Sequence, residues 1–228
     1  MHQTATPNSE LDTRNPRLFN RPFTLHPAPE PKPAPRTPSA AWKIPGPGLT
    51  VWFTGLSGAG KTTLATALAR RLRRADIPTI LLDADILRQG FCAGLGFSRE
   101  DRTENVRRIA ALAARLSESG AVVLVAAIAP YRDVRLAARE HIGRFLEVYV
   151  NAPLHTCIQR DPKGLYARAL AGEIPHFTGV TDPYEEPLAP DIECRTGIDT
   201  IDTCTAALLA AINHYRASKA TNRVDNLS

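Results

Sequence analysis

An α/β fold with a five-stranded, mostly parallel sheet and helices on both faces is what this sequence of 228 residues predicts. Short apolar runs alternate with helical patterns, a glycine-rich turn stands between the first run and the first helix, and the prolines gather outside the alternating region. Strands that alternate with helices build βαβ units, because a parallel neighbour can be reached only by a crossover.

The elements follow in order. Residues 1–48 hold 11 of the 19 prolines, including the alternating run from Pro27 to Pro35. Proline fixes φ and removes a backbone donor, so this stretch is expected as a disordered, extended segment outside the folded domain. From Leu49 the texture changes. Leu49–Thr54 is an apolar run suited to a strand buried on both faces. Lys61 to Ala75 reads as an amphipathic helix, with Leu64, Ala67, Leu68 and Leu72 at helical spacing. Thr79–Asp83 is the second strand. Ser98 followed by Asp101 has the spacing of a capping box opening a helix toward Ser119, and Gly120 is placed to end it. Ala121–Ala127 and Phe145–Val150 are two more strands, followed by helical patterns among Gly/Pro-rich segments as far as Pro190. A strand at Ile192–Arg195 and a helix from Ile201 to about Arg216 close the domain. The domain thus spans 49–217, and 218–228 is expected as a flexible tail.

Composition excludes several classes. The four cysteines, Cys92, Cys157, Cys194 and Cys204, are far apart, so neither a zinc site nor a disulfide framework is indicated. No stretch approaches the apolar length of a membrane span and the N-terminus has no signal core, which predicts a cytoplasmic protein. The net charge of +5 suits any anionic partner. No run of five like charges marks a nucleic-acid or membrane surface, and neither partner is expected. The Gly/Pro-rich segment Ala171–Pro190 reads as a lid that closes over a ligand.

The chemistry begins at Gly55-Leu56-Ser57-Gly58-Ala59-Gly60-Lys61-Thr62, which fits G-x-x-x-x-G-K-[ST] throughout and lies between a strand and a helix. Glycines let consecutive backbone amides turn inward around an anion, and the helix N-terminus adds positive potential. Lys61 is expected on the β- and γ-phosphates of ATP and the Thr62 hydroxyl on Mg²⁺, with Thr63 completing the nucleotide contact. The fold expected is therefore the three-layer P-loop NTPase arrangement. Asp83 and Asp85 end the second strand, where ligands of such sheets sit. Asp85 is placed to orient Mg²⁺ or to take a proton from an acceptor hydroxyl, and Asp83 is the better helix-capping candidate. Arg88, Arg102 and Asn105 follow, and arginine forks suit sulfate or phosphate oxygens.

Several further motifs carry a resemblance: Leu82-Asp83-Ala84-Asp85, Leu95 to Arg102, Glu104 to Arg108, Pro130-Tyr131-Arg132, Arg160 to Tyr166, Phe177-Thr178-Gly179 and Asp182 to Glu185. In order and spacing the chain resembles the adenylylsulfate kinases, which phosphorylate the 3′-hydroxyl of adenylylsulfate (APS) to give PAPS. The resemblance implies Asp85 as the catalytic carboxylate beside Lys61 and Asp83, with Mg²⁺ held by Thr62 and Asp85. It implies Arg160 near the adenine of ATP, and Arg88, Arg102 and Asn105 on the phosphosulfate and ribose of APS. Phe97 and Phe177 would stack on the APS adenine, with Ile128, Lys163 and Leu165 as further substrate contacts.

The chain departs from the family pattern in two motifs and in its proline-rich extension, which is not part of the usual compact domain. Asp83-Ala84-Asp85-Ile86 stands for the usual Asp-Gly-Asp-Asn, and Ala127-Ile128-Ala129-Pro130 for Phe-Ile-Ser-Pro. A phosphoserine route is closed at Ala129, whereas direct in-line transfer needs no hydroxyl there. A kinase of a related small hydroxylated or nucleotide acceptor, and a weakly active regulatory partner of a sulfate-activating enzyme, remain open beside an APS kinase. ATP and APS are the expected ligands. A homodimer and a sulfate-activating partner enzyme are the macromolecular associations left open.

Overall fold

A computed structural model describes residues 48–224, with side chains up to residue 216. The proline-rich extension, Gly48 apart, lies outside the described residues. Five parallel strands, β1 (Leu49–Thr54), β2 (Thr79–Asp83), β3 (Val122–Ala126), β4 (Phe145–Asn151) and β5 (Ile192–Arg195), form one sheet in the order β2-β3-β1-β4-β5. The first strand is thus central, and its register sets Phe53 beside Ala126 and Val148. Seven helices lie among the described residues: α1 (Lys61–Arg74), α2 (Ala84–Leu87), α3 (Arg99–Glu118), α4 (Arg132–Ile142), α5 (Leu154–Arg160), α6 (Leu165–Leu170) and α7 (Ile201–Val224).

Alternation along β1 divides the core in two. Val51 and Phe53 face a cluster with Leu64, Leu68 and Leu72 of α1 and Leu208 and Ile212 of α7. Trp52 faces the other way, toward Val106, Ile109 and Ala113 of α3 and Ala138 of α4. Each fully buried large apolar side chain contributes about 1.5–3 kcal/mol. Both faces are therefore needed to hold β1, the strand that ends at the glycine-rich loop.

The predicted cap of α3 is present: Ser98 accepts a hydrogen bond from the Asp101 amide at 3.1 Å. The last helix, read from the sequence as ending at about Arg216, continues to Val224. The sequence 217–224 contains neither glycine nor proline, so nothing in it stops a helix already under way. The short helices α2, α5 and α6 and the whole of α4 were not individually legible. The buried residues of α4 are Arg135 and Ala138, which make no apolar stripe. Among the described residues no helix is long and apolar enough to cross a membrane.

Candidate active site

A cleft of about 1010 Å³ opens at the carboxyl ends of the strands. Its wall includes the glycine-rich loop, Asp85, Arg88, Phe97, Arg102, Asn105, Ile128, Arg160, Lys163, Leu165 and Phe177. Residues more than a hundred positions apart in sequence thus meet in one cavity.

At one end the loop Gly55–Gly60 wraps the start of α1. Gly60 holds φ at +103°, and a Cβ on Gly55, itself at φ +149°, would stand 2.4 Å from the Val150 carbonyl. Only glycine suits either position. No side chain caps α1 and its first turn has no acid, so its amides and positive end face the cleft. The Lys61 ammonium donates to the carbonyls of Gly55 at 3.0 Å and Leu56 at 2.7 Å. Desolvation there lowers its pKa to about 8, and Asp85 opposes the fall.

The Thr62 hydroxyl donates to Asp83 Oδ2 at 2.7 Å, while Asp83 Oδ1 accepts from the Asp85 amide at 2.9 Å. Asp83 therefore caps α2, as its position suggested, and is also the carboxylate beside Thr62. Asp85, expected with Thr62, instead forms an ion pair with Lys163. The Thr62 hydroxyl and Asp83 carboxylate are hard oxygen donors, and among the described residues no cluster of three acidic, histidine or cysteine ligands exists. That set fits Mg²⁺, which commonly takes one or two protein oxygens and completes its shell with phosphates and water.

The other end is arginine-rich. Phe97 is 53% exposed, so it is not a core residue. The Arg88 guanidinium stands 4.7 Å from its ring centroid and that of Arg102 5.5 Å. Arg88 donates to the carbonyls of Leu95 and Gly96, and Arg102 to those of Phe97 and His176. Burial lowers the pKa of both arginines from an ordinary value so high that both stay charged. Asn105 is buried in the cleft wall, and its Oδ1 has no hydrogen-bond partner in the protein. Such an atom is costly unless something from the cleft binds it.

Between the two ends runs the segment from Arg160 to Tyr166. Arg160 donates to the carbonyls of Gly58 at 3.3 Å and Thr196 at 2.6 Å, fixing it over the loop. Thr196, which the sequence did not single out, donates its hydroxyl to the Ala59 carbonyl at 2.6 Å. Its place just past β5, at the carboxyl edge of the sheet, was the available signal.

The lid expectation needs narrowing. Tyr184 shares a hydrogen bond with the Thr54 hydroxyl, Glu185 donates its amide to the Pro130 carbonyl, and its carbonyl accepts from Arg135. Arg135 is buried, pairs with Glu147 at 2.8 Å and also donates to the Ala129 carbonyl. Tyr184 and Glu185 are therefore tied to the core. Ala129 itself has φ +43°, a left-handed conformation immediately before Pro130. Arg135 and Thr54, which donates to the Ile128 carbonyl at 2.6 Å, hold that loop from behind.

A strand–loop–helix phosphate cradle in a parallel sheet, facing an arginine-lined pocket, defines the P-loop kinase class. A profile of the adenylylsulphate kinase family matches residues 47–195, and the chain belongs to that family. The adenylyl-sulfate kinase of Gloeothece citriformis is 54% identical over 162 residues, covering 71% of this chain and 92% of that one. The adenylyl-sulfate kinase of Chloroflexus aurantiacus is 56% identical over 165 residues, covering 72% and 89%. Among solved structures, the APS kinase of Mycobacterium tuberculosis in complex with AMPPNP and APS is 44% identical with a TM-score of 0.72. That match covers 74% of this chain and 99% of the other.

Proposed function

We propose that this protein transfers the γ-phosphoryl group of ATP to the 3′-hydroxyl of APS, giving PAPS and ADP. The observation that carries the reading is the cleft itself, with a phosphate cradle at one end, an arginine–aromatic pocket at the other, Asp85 in its wall and Asp83 bonded to Thr62 behind it. The family membership and the ligands of the solved M. tuberculosis relative support it.

The roles follow from placement. The loop from Gly55 to Thr63 binds the ATP phosphates, and Arg160 closes over the loop at the nucleotide end. Lys61 neutralises charge on the β- and γ-phosphates. Thr62 and Asp83 would hold Mg²⁺, which would supply charge neutralisation on the phosphates. Arg88, Arg102 and Asn105 bind the phosphosulfate and ribose, Phe97 and Phe177 offer faces to the adenine, and Ile128 and Leu165 complete the wall. Asp85 accepts the proton of the 3′-hydroxyl as its oxygen bonds to the γ-phosphorus, while the bond to the bridging oxygen breaks and ADP leaves. Lys163, paired with Asp85, fixes that carboxylate. Phosphoryl transfer asks mainly for alignment and charge, which these groups provide. Ala129 leaves no hydroxyl for a phosphoserine intermediate, so transfer is direct.

The test is ADP release with MgATP plus APS, AMP or a simple polyol. APS alone should stimulate it strongly. Equal stimulation by AMP would refute recognition of the sulfate, and stimulation by the polyol alone would move the protein to another acceptor class.

A further inference from the structure

Tyr166 takes no part in the chemistry above, yet it stands between the two ends of the cleft. It is 1% exposed and outside the cleft wall. Its hydroxyl donates to the carbonyl of Ser57, inside the phosphate loop, at 3.0 Å. The edge of its ring meets Phe177, with centroids 5.0 Å apart and planes at 79°. Both contacts are specific in direction: an O–H aimed at one carbonyl, and an edge-to-face aromatic pair.

The neighbours of this tyrosine extend the link both ways. Toward the phosphate loop, the same segment sends Arg160 to the Gly58 carbonyl, and a Cβ on Gly58 would sit 3.2 Å from the Cys157 carbonyl. The loop is therefore packed closely against the chain that leads into Tyr166. Toward the arginine pocket, Phe177 follows His176, whose carbonyl accepts from Arg102. The Phe177 carbonyl also accepts from the amides of Val180, Thr181 and Asp182, so the ring is carried on a tightly closed turn. Ser57, Tyr166, Phe177, His176 and Arg102 thus form one contiguous path from the nucleotide cradle to the acceptor arginines. Asp161 holds the tyrosine in place by accepting from its amide at 3.1 Å.

We propose that Tyr166 is a positioning residue that couples the two substrate sites, so that nucleotide in the phosphate loop seats Phe177 and tightens binding of APS, and the reverse. This rests on the reading of Phe177 as an acceptor contact. A loop moved by a phosphate ligand shifts the Ser57 carbonyl, and a buried tyrosine that keeps its hydrogen bond must carry its ring, and with it Phe177, along. Linkage requires the effect to be reciprocal. One neutral hydrogen bond sets its size at about two- to tenfold in affinity.

The experiment is calorimetric titration of the full chain with APS, with and without saturating AMPPNP and Mg²⁺. In the parent protein AMPPNP should tighten APS by about two- to tenfold. In Tyr166→Phe, which keeps the ring, that ratio should fall to about one while each ligand alone binds within about twofold of the parent. Phe177→Leu should also bring the ratio to about one and, unlike Tyr166→Phe, weaken APS alone by about fivefold or more. A parent ratio near one, or a ratio unchanged in either variant, overturns the coupling. Phe177→Leu with normal affinity for APS alone instead overturns the acceptor reading of Phe177. The two failures are therefore distinguishable.

Discussion

At the P-loop end of the cleft, consecutive residues from Gly55 to Thr62 supply the whole phosphate cradle, fixed by β1 behind and α1 in front. At the arginine end, Arg88, Phe97, Arg102, Asn105 and Phe177 come from three separate segments and are held largely by carbonyls of the loops they brace. The first end is a local backbone structure that needs glycines. The second is an assembly of side chains whose positions depend on distant chain. The difference teaches that a substitution at the P-loop end removes chemistry common to both substrates, whereas one at the arginine end should change recognition of one of them.

Lys61→Ala presses hardest on that distinction. Removing the fixed charge from the transferring phosphoryl group should lower kcat by about 10³–10⁵-fold. Turnover by stopped assay at saturating ATP and APS checks it, and near-normal turnover would place the phosphates elsewhere. Asp85→Asn keeps the shape but loses the proton acceptor and the partner of Lys163. Its kcat should fall by about 10²–10⁴-fold with little change in either KM. A variant in which KM alone moves would make Asp85 a binding group.

Protonation of Lys61 sharpens the comparison on the nucleotide side. Its folded-state pKa of about 8 lies below the ordinary 10.5. The cost of burying the charge is therefore fully present below pH 8, and it is relieved as pH rises from 8 to 10.5. Bound phosphates favour the charged amine, so nucleotide binding should take up about half a proton at pH 8, and affinity should decline above it. Calorimetry in two buffers of different ionisation enthalpy measures the uptake. Zero uptake at pH 8 would mean that Lys61 is already fully charged in the free protein.

The smallest effect belongs to the frame of the arginine end. Ser98→Ala removes the cap of α3 and should cost about 1 kcal/mol, or about 2–4 °C in Tm for a domain of this size. Thermal unfolding reads it directly. An unchanged Tm would show that α3 is held by packing alone.

Legibility in the sequence follows the same division. The phosphate cradle could be read because its requirement is local: glycines at fixed offsets, then Lys-Thr at the start of a helix. The strands could be read because β1, β3 and β4 are buried almost throughout and so carry continuous apolar runs. The arginine cluster could be named only through resemblance, since nothing in the spacing of Arg88 and Arg102 says that both flank Phe97. Thr196, Arg135 and Tyr166 stayed hidden because their roles are individual side-chain contacts, mostly with residues far off in sequence, which leave no periodic trace. That Asp83 rather than Asp85 accepts from Thr62 was not legible for a related reason. Two carboxylates two residues apart both end β2, and only the turn into α2 decides which one meets Thr62.

The division between the two ends is tested most directly by APS dependence in Arg102→Ala at saturating ATP. Losing one charge-assisted fork should raise the KM for APS by about ten- to a hundredfold while the KM for ATP stays within about twofold of the parent. If the APS dependence is unchanged, or if both KM values rise together, the arginine end is not the acceptor site.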